Sequence, residues 1–284
     1  MSSPAPPTNV HYISVLVYNP SDPIPPEKRL AWLKKLFAYG PFPMTLFADD
    51  LYRRQISVAD HPGLAIVPWH TTDSEVWRRA REGGGGEGGT TPLRLPMRRN
   101  EAKDSEFFML LMHAKAELVA AVAHQDVSQT PFLAFLDAGI AKIFGNVEAS
   151  VQRLRTLRLS AEKIGSSVLV PGCWEPKPYP FETLANQINW TFCGGLFFLQ
   201  RETAQAFWEA QLRALALFFA EGQITWEVNT WVQMLRDPRA PPFSWFPADH
   251  NDSMSVIPQE FQESAQEILL KAPLHGTEDS SVER

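Results

Sequence analysis

Short apolar runs alternate with amphipathic segments along the first half of the chain. The run Tyr12–Tyr18 is rich in β-branched and aromatic residues, and two further short apolar runs follow at Met44–Ala48 and Leu64–Pro68. Between the first two, Glu27–Tyr39 places leucines and a phenylalanine at helical spacing, with lysines on the opposite face. Strand, helix, strand and helix in this order predict a parallel sheet with crossover helices.

The second half of the chain repeats this alternation. A helix rich in Leu, Met and Ala is predicted over Asp104–His124, and it leads into the apolar strand Phe132–Leu136. Three more helices are predicted at Val147–Leu159, Ala204–Ala220 and Ile224–Leu235. Two more strands are predicted at Ser167–Val170 and Leu196–Leu199. Consecutive apolar positions are typical of strands that are covered on both faces, so Tyr12–Tyr18 and Phe132–Leu136 are expected in the interior of the sheet.

The 284 residues suit a single α/β domain, for which we expect the boundaries 11–275. Six of the eight residues 83–90 are glycine, which predicts a flexible surface insert, since the segment offers little side chain to offset the entropy of ordering. The Pro/Ser-rich N-terminus 1–10 and the polar tail 276–284 are also expected to be flexible.

Charge and composition exclude several functional classes. A net charge of −6 argues against nucleic-acid binding, which requires a basic face. The N-terminus lacks the basic and apolar regions of a signal peptide, and no apolar run predicts a transmembrane segment. Two cysteines, Cys173 and Cys193, predict neither a disulfide framework nor a zinc site. We therefore expect a cytoplasmic protein.

Asp137 is the central candidate for chemistry, because it directly follows the apolar strand Phe132–Leu136. Ligands of open α/β sheets bind beyond the carboxyl ends of the strands, where such a carboxylate faces the ligand crevice. Mn²⁺ and Mg²⁺ prefer oxygen ligands and bridge carboxylates to diphosphates. The alternative is that Asp137 only caps a turn or the next helix. The sequence leaves both interpretations open.

Two later clusters supply further candidates. Glu227 lies between Trp226 and Trp231, and desolvation by these rings would raise its pKa and suit a general base. The alternative is a solvated helical residue between packing aromatics. His250 follows Asp249 in the other cluster, and a neutral imidazole can complete a Mn²⁺ site, although histidines in loops are commonly just solvated.

Lys115 and a pair of glycines complete the candidate residues. Lys115 lies on the helix that leads into the Asp137 strand, where it would neutralise a diphosphate as a point charge or simply be an exposed helical lysine. Gly194 and Gly195 indicate a tight turn where the backbone approaches a ligand, or a simple bend before a strand. The sequence contains no glycine-rich phosphate-binding motif.

Taken in order, several stretches resemble the HtrL/YibB-like family of glycosyltransferase-like proteins. The resemblance covers Ile13 to about Met254, and it is carried by Leu95–Phe108, Lys115, Phe135–Lys142, Phe192–Phe198 and Ile224–Trp231. It implies a single GT-A-like, Rossmann-related domain with a mostly parallel central sheet flanked by helices.

The resemblance also implies an activity, namely transfer of a sugar from a nucleotide-diphosphate donor, a UDP-sugar, to a hydroxyl of a glycan or other acceptor. Asp137 would occupy the position of the Asp-x-Asp metal motif and His250 that of a late metal-binding histidine. Lys115 would meet the donor, and Glu227 would be the acceptor-side carboxylate. The nucleoside would face Tyr18, Asn19 and Asp49.

One position departs from the family pattern, since Gly139 stands where Asp-x-Asp has its second aspartate. Either His250 or Asp249 compensates, or Mn²⁺ or Mg²⁺ binds weakly. This loss keeps a second interpretation open, in which the same fold binds a nucleotide or a glycan without turnover.

Overall fold

The protein is described by a computed structural model, which covers residues 8–19, 22–83, 92–125 and 129–271. Within these residues, seven strands form one sheet: β1 (Val10–Leu16), β2 (Met44–Ala48), β3 (Leu64–Pro68), β4 (Phe132–Leu136), β5 (Val168–Gly172), β6 (Leu196–Gln200) and β7 (Phe243–Pro247). Their order across the sheet is β3-β2-β1-β4-β6-β5-β7. Strand β6 is antiparallel to β4 and β5, and the other neighbouring pairs are parallel. The predicted α/β class with a mostly parallel central sheet is confirmed.

The described part of the chain has ten α-helices, of which nine lie between strands and α10 follows β7: α1 (Pro26–Phe37), α2 (Asp50–Arg53), α3 (Glu75–Gly83), α4 (Glu106–His124), α5 (Val147–Thr156), α6 (Ala161–Ile164), α7 (Phe181–Asn186), α8 (Ala204–Ala220), α9 (Glu227–Met234) and α10 (Ala265–Lys271). Short 3-10 segments lie at Val58–Asp60, Thr71–Asp73, Ile140–Lys142, Arg201–Thr203, Asp252–Ser255 and Gln259–Phe261.

Apolar side chains cover both faces of the sheet. Along β4, Leu133 and Phe135 join a hydrophobic cluster that includes residues of α4, α8 and α9. The alternating residues Phe132 and Leu136 join a second cluster with residues of α1 and α5. Successive side chains of a strand point to opposite faces, so a strand buried on both sides has to be apolar throughout. This explains the continuous apolar runs in the sequence.

Both strands that the sequence placed in the interior are interior strands. β1 pairs with β2 on one side, where Tyr12 lies opposite Met44, and with β4 on the other, where Ile13 lies opposite Phe135. β4 lies between β1 and β6. The chain moves outward from β1 through β2 to β3 and then crosses to β4 on the far side of β1. In open α/β sheets, ligands bind beyond the carboxyl ends of the strands at such a reversal, which here lies between β1 and β4.

Two helix boundaries differ from the predicted ones by three residues. The helix predicted over Val147–Leu159 ends at Thr156, because Leu157 is already extended and Leu159 forms a β-bridge with Gln262. The helix predicted from Ile224 begins at Glu227, since the residue before it, Trp226, has an extended backbone (φ −70°, ψ 149°).

At the N-terminal end of the described residues, Val10 belongs to β1, and the buried Asn9 donates a hydrogen bond to the Leu159 carbonyl at 2.8 Å. The rest of the predicted flexible N-terminus, residues 1–7, lies outside the described residues. So do nearly all of the glycine-rich insert 83–90 and the tail 276–284. The domain boundaries 11–275 stay a prediction.

Helix α4 is long and apolar enough, by length and composition alone, to span a membrane. The apolar pattern of the sequence had not indicated such a helix. Helix α4 also fits a core helix, since more than half of its apolar window is buried, and it packs against α8, β1 and β4. Its buried residues include His113 and Lys115. The apolar length of α4 is therefore explained by its packing in the protein core.

Candidate active site

Lys115 lies on the face of α4 that packs against the sheet. The helix begins after Ser105, whose side-chain oxygen accepts a hydrogen bond from the Phe108 N–H at 3.2 Å. Lys115 is only 1% exposed, and its ammonium lies 5.2 Å from the centre of the Phe135 ring. The interpretation of Lys115 as an exposed helical lysine is therefore wrong.

The Lys115 ammonium is shared by three oxygen acceptors. It donates hydrogen bonds to Glu227 Oε1 and to the Gly194 carbonyl, each at 2.8 Å, and forms an ion pair with Asp137 Oδ1 at 3.2 Å. An ammonium has three N–H donors, so these partners use its whole capacity. We call Lys115, Asp137 and Glu227 the buried triad. Together, the two carboxylates and the ammonium carry a net charge of −1.

The two carboxylates of the buried triad differ in their access to solvent. The Glu227 side chain is 7% exposed, whereas that of Asp137 is 37% exposed at the carboxyl end of β4. The Asp137 backbone N–H donates to the Gly195 carbonyl at 2.9 Å, which holds the residue against the Gly194–Gly195 segment. Asp137 therefore presents a carboxylate to solvent at the carboxyl end of β4, while its other contact is the ion pair with the buried Lys115.

The expected raised pKa of Glu227 is wrong. Burial raises the pKa of Glu227, but the charge of Lys115 and its hydrogen bond lower it by more, so the pKa lies below its ordinary value. Burial likewise lowers the pKa of Lys115, and the charges of Asp137 and Glu227 raise it by more. The tryptophans that flank Glu227 in sequence indicated desolvation, whereas Lys115, 112 residues away, decides the sign.

Buried polar contacts hold the start of α9 in place. The Thr225 hydroxyl donates to the Leu184 carbonyl at 2.5 Å, and the Asn229 amide donates to the same carbonyl at 2.6 Å. The Trp231 indole N–H donates to Gln211 Oε1 at 2.7 Å. These contacts fix the residues on both sides of Glu227, whose own carboxylate accepts a hydrogen bond from Lys115.

Gly194 and Gly195 leave space for the carboxylates of the buried triad. A Cβ on Gly194 would lie 2.2 Å from Glu227 Oε1, well inside any allowed contact. A Cβ on Gly195 would lie 3.2 Å from Asp137 Oδ2, a tight contact that the half-exposed carboxylate can relieve. The close contacts at both glycines are with these protein carboxylates. The approach of their backbone to a ligand stays a prediction.

The two glycines give a matched pair of variants. Gly194→Ala should lower the free energy of unfolding by about 1–3 kcal/mol, because the methyl group overpacks against an immobile buried carboxylate. Gly195→Ala should change it by no more than about 0.5 kcal/mol, since Asp137 can turn toward solvent. Urea unfolding of both variants checks this difference. An equal loss in the two variants would show that the Glu227 carboxylate is not held as described.

The predicted nucleoside residues lie at the ends of two adjacent strands. The Tyr18 backbone N–H donates to Asp49 Oδ2 at 2.6 Å, which joins the segment after β1 to the end of β2. The other oxygen of Asp49 accepts from the Tyr52 N–H at 3.1 Å and caps α2. The Tyr18 side chain is exposed, and Asn19 directly follows it.

His250 lies among sulfur and oxygen atoms. Its Nδ1 is 4.0 Å from Cys193 Sγ and 3.5 Å from Asp249 Oδ1, and its ring meets Trp190 edge-on. The Cys173 and Cys193 sulfurs are 3.7 Å apart. Sequence spacing did not indicate this cluster, because its members come from three separate segments. Burial raises the pKa of both thiols, which makes them poor nucleophiles.

Lys142 is a further cation near Asp137, and no role was predicted for it from the sequence. Its ammonium lies 5.3 Å from the centre of the Trp32 ring on α1. Burial lowers the pKa of Lys142, and the negative charge of Asp137 opposes that effect. Its place five residues after Asp137, on the 3-10 turn Ile140–Lys142, was the available signal.

Comparison with known proteins gives no family assignment. No protein-family model matches the chain, and no curated protein matches its sequence. Among solved structures, the apo form of mouse xyloside xylosyltransferase 1 matches over 84% of each chain, with 9% identity and a TM-score of 0.43. CMP:2-keto-3-deoxy-manno-octonic acid synthetase complexed with CTP matches over 84% of this chain and 90% of that chain, with 12% identity and a TM-score of 0.38. The resemblance to the HtrL/YibB-like family stays a prediction, and the function has to be argued from this chain's own residues.

Proposed function

We propose that the chain is a glycosyltransferase, which transfers a sugar from a nucleotide-diphosphate donor, a UDP-sugar, to a hydroxyl of a glycan or other acceptor in the cytoplasm. The observation that carries the proposal is the half-exposed Asp137 carboxylate at the carboxyl end of β4, anchored from behind by the buried Lys115. Open α/β sheets bind their ligands beyond the carboxyl ends of the strands, at the reversal of strand order that here lies between β1 and β4.

The charge of the buried triad supports a divalent cation at Asp137. The triad carries a net charge of −1, and Asp137 is the more exposed of its two carboxylates. Carboxylate oxygen is a preferred ligand of Mn²⁺ and Mg²⁺, so the donor set fits such an ion. Asp137 would hold such an ion, which would stabilise the charge of the leaving diphosphate as a Lewis acid.

His250 was expected as a second protein ligand of this cation. Its contacts among the described residues are with Cys193, Asp249 and Trp190. The proposal therefore rests on Asp137 as the protein ligand, with diphosphate oxygens and water as the remaining ligands. Such a site binds the cation weakly alone and more tightly together with the nucleotide.

Lys115 and Lys142 have different proposed roles toward the donor. Lys115 uses its three N–H donors within the protein, so we assign it the positioning of Asp137 rather than direct contact with phosphate. Lys142 lies close enough to Asp137 for the two charges to interact, and it is the better candidate for the diphosphate. Tyr18, Asn19 and Asp49 remain the proposed nucleoside side, with the Tyr18 ring available for stacking.

In the transfer, the bond from the anomeric carbon to the diphosphate breaks, and the acceptor oxygen forms the new bond while a base takes its proton. Glu227 was the expected base. Its low exposure and lowered pKa support a positioning role through Lys115 instead, since an efficient base has a pKa near the working pH. Asp137 is proposed as the cation ligand and not as this base, so the departing diphosphate takes the proton of the acceptor hydroxyl.

Calorimetry with UDP tests the proposal. We expect UDP to bind at least about tenfold more tightly with Mn²⁺ than without it, because the diphosphate oxygens are ligands of the cation. By the same coupling, Mn²⁺ should bind correspondingly more tightly in the presence of UDP. Asp60→Asn, which changes an exposed carboxylate on the 3-10 turn Val58–Asp60, is the control and should keep this coupling. Equal UDP affinity with and without Mn²⁺ would refute the cation-assisted site.

A further inference from the structure

Three segments of the chain meet beside Gly194 and bring two thiols, an imidazole and a carboxylate together. Cys173 directly follows β5, Asp249 and His250 follow β7, and Cys193 precedes Gly194. Strands β5 and β7 are parallel neighbours, with Gly172 opposite Pro247, so their carboxyl ends lie at the same edge. The backbone holds the third segment there as well, since the Cys193 N–H donates to the Pro171 carbonyl at 2.8 Å.

Four of the distances between these side chains are close to those of a tetrahedral metal site. The two sulfurs are 3.7 Å apart, and a tetrahedral Zn²⁺ with Zn–S bonds of about 2.3 Å separates two sulfur ligands by about 3.8 Å. Cys173 Sγ lies 3.6 Å from Asp249 Oδ1, and Cys193 Sγ lies 4.0 Å from His250 Nδ1, against about 3.6 Å for such pairs around zinc. The carboxylate oxygen and the imidazole nitrogen are 3.5 Å apart.

We propose that Cys173, Cys193, His250 and Asp249 form a binding site for a thiophilic divalent cation, Zn²⁺ being the best fit. The ligand atoms of the two cysteines and the histidine all lie within 4.8 Å of one another. Thiolate and imidazole ligands select zinc over manganese or magnesium, which favour oxygen. The site is thus chemically distinct from the oxygen site proposed at Asp137.

A cation bound at this site would cross-link the loops next to the buried triad. It joins the ends of β5 and β7 to the segment that continues into Gly194 and Gly195. The Gly194 carbonyl accepts from Lys115, and the Gly195 carbonyl accepts from the Asp137 N–H. Zinc bound to four protein ligands is a structural ion, so its effect is on the stability of this region rather than on the transfer itself.

Titration of the metal-free, reduced full-length protein with Co²⁺ tests the assignment. We expect one equivalent to bind and to give a thiolate-to-cobalt charge-transfer band together with the visible bands of tetrahedral cobalt. Zn²⁺ should displace the cobalt and remove these bands. Zn²⁺ should also raise the melting temperature of the protein, because it binds the folded state. No nucleotide is present, so the result is independent of the donor site.

Single substitutions identify the ligands. Cys173→Ser, at a half-buried position, should remove about half of the charge-transfer absorbance, because one of two thiolates is lost. His250→Gln should weaken Co²⁺ binding by about tenfold or more, whereas His124→Gln, at an exposed histidine on α4, should leave it unchanged. Circular dichroism confirms that each variant is folded.

The opposite outcomes would overturn the proposal. They are the absence of a thiolate-to-cobalt band in the reduced wild-type protein, or unchanged bands in both Cys173→Ser and His250→Gln. A pair of cysteines that only forms a disulfide on oxidation, and binds no cation when reduced, would give the first of these outcomes.

Discussion

Lys115→Met should lower the free energy of unfolding at neutral pH by about 3–5 kcal/mol, the cost of leaving a buried charge without its partner. Lys115 is 1% exposed, and the side chain of Glu227 is 7% exposed, so water cannot replace the lost ammonium. Methionine keeps the apolar stem of the side chain, which separates the loss of charge from a loss of packing. Urea unfolding at pH 7 measures the effect.

The double variant Lys115→Met/Glu227→Gln is the control for this prediction. A neutral glutamine needs no buried cation, so the double variant should lose less stability than the sum of the two single variants, with a coupling of about 1–3 kcal/mol. If the single-variant losses simply add, the two side chains are not coupled, and the buried triad is not the unit described here.

The loss in Lys115→Met should also depend on pH. In the wild-type protein, the pKa of Glu227 lies below its ordinary value, so the stability from the ion pair is present above about pH 4.3, the pKa of an unperturbed Glu, and is lost as the pH falls. Without Lys115, burial raises the pKa of Glu227, and the variant becomes less stable as the pH rises above that value. The stability difference between wild type and Lys115→Met should therefore shrink between pH 7 and pH 4.

The sequence predicted the sheet more accurately than the chemistry of the site. Consecutive apolar positions in β1 and β4 follow from burial on both faces of the sheet, which is a local requirement that each strand shows by itself. The position of Asp137 at the end of β4 could be predicted for the same reason. Helix ends were predicted less well, because contacts such as the Leu159–Gln262 bridge depend on residues that are distant in the chain.

The ionic partners could not be predicted from local patterns. Lys115 and Glu227 are 112 residues apart, and only folding brings them to 2.8 Å. Aromatic neighbours in the sequence indicated a desolvated Glu227, which is correct as to burial, but its pKa depends on the cation. The cluster of Cys173, Cys193 and His250 is similar, since it joins three loops at one edge of the sheet. Each of these is a long-range contact between charged or polar groups. Such contacts leave no periodic pattern in the sequence from which they could be predicted.

Asp137→Asn should lower cation-dependent turnover of a nucleotide sugar by about a thousandfold, equivalent to about 4 kcal/mol of transition-state stabilisation. The substitution keeps the shape of the side chain and removes the charge that would hold the cation. Stability should change less than in Lys115→Met, since Lys115 keeps Glu227 and the Gly194 carbonyl as acceptors. Asp60→Asn is the matched control and should keep wild-type turnover.

The most direct test of the central claim is release of UDP from a panel of UDP-sugars in the presence of Mn²⁺, with water as the acceptor. We predict release by the wild-type protein with at least one sugar, its loss when Mn²⁺ is chelated, and its loss in Asp137→Asn. Release that persists in Asp137→Asn would contradict a reaction centred on Asp137. Tight UDP binding without release of UDP from any sugar in the panel would contradict the enzyme and support a nucleotide-binding protein on the same fold.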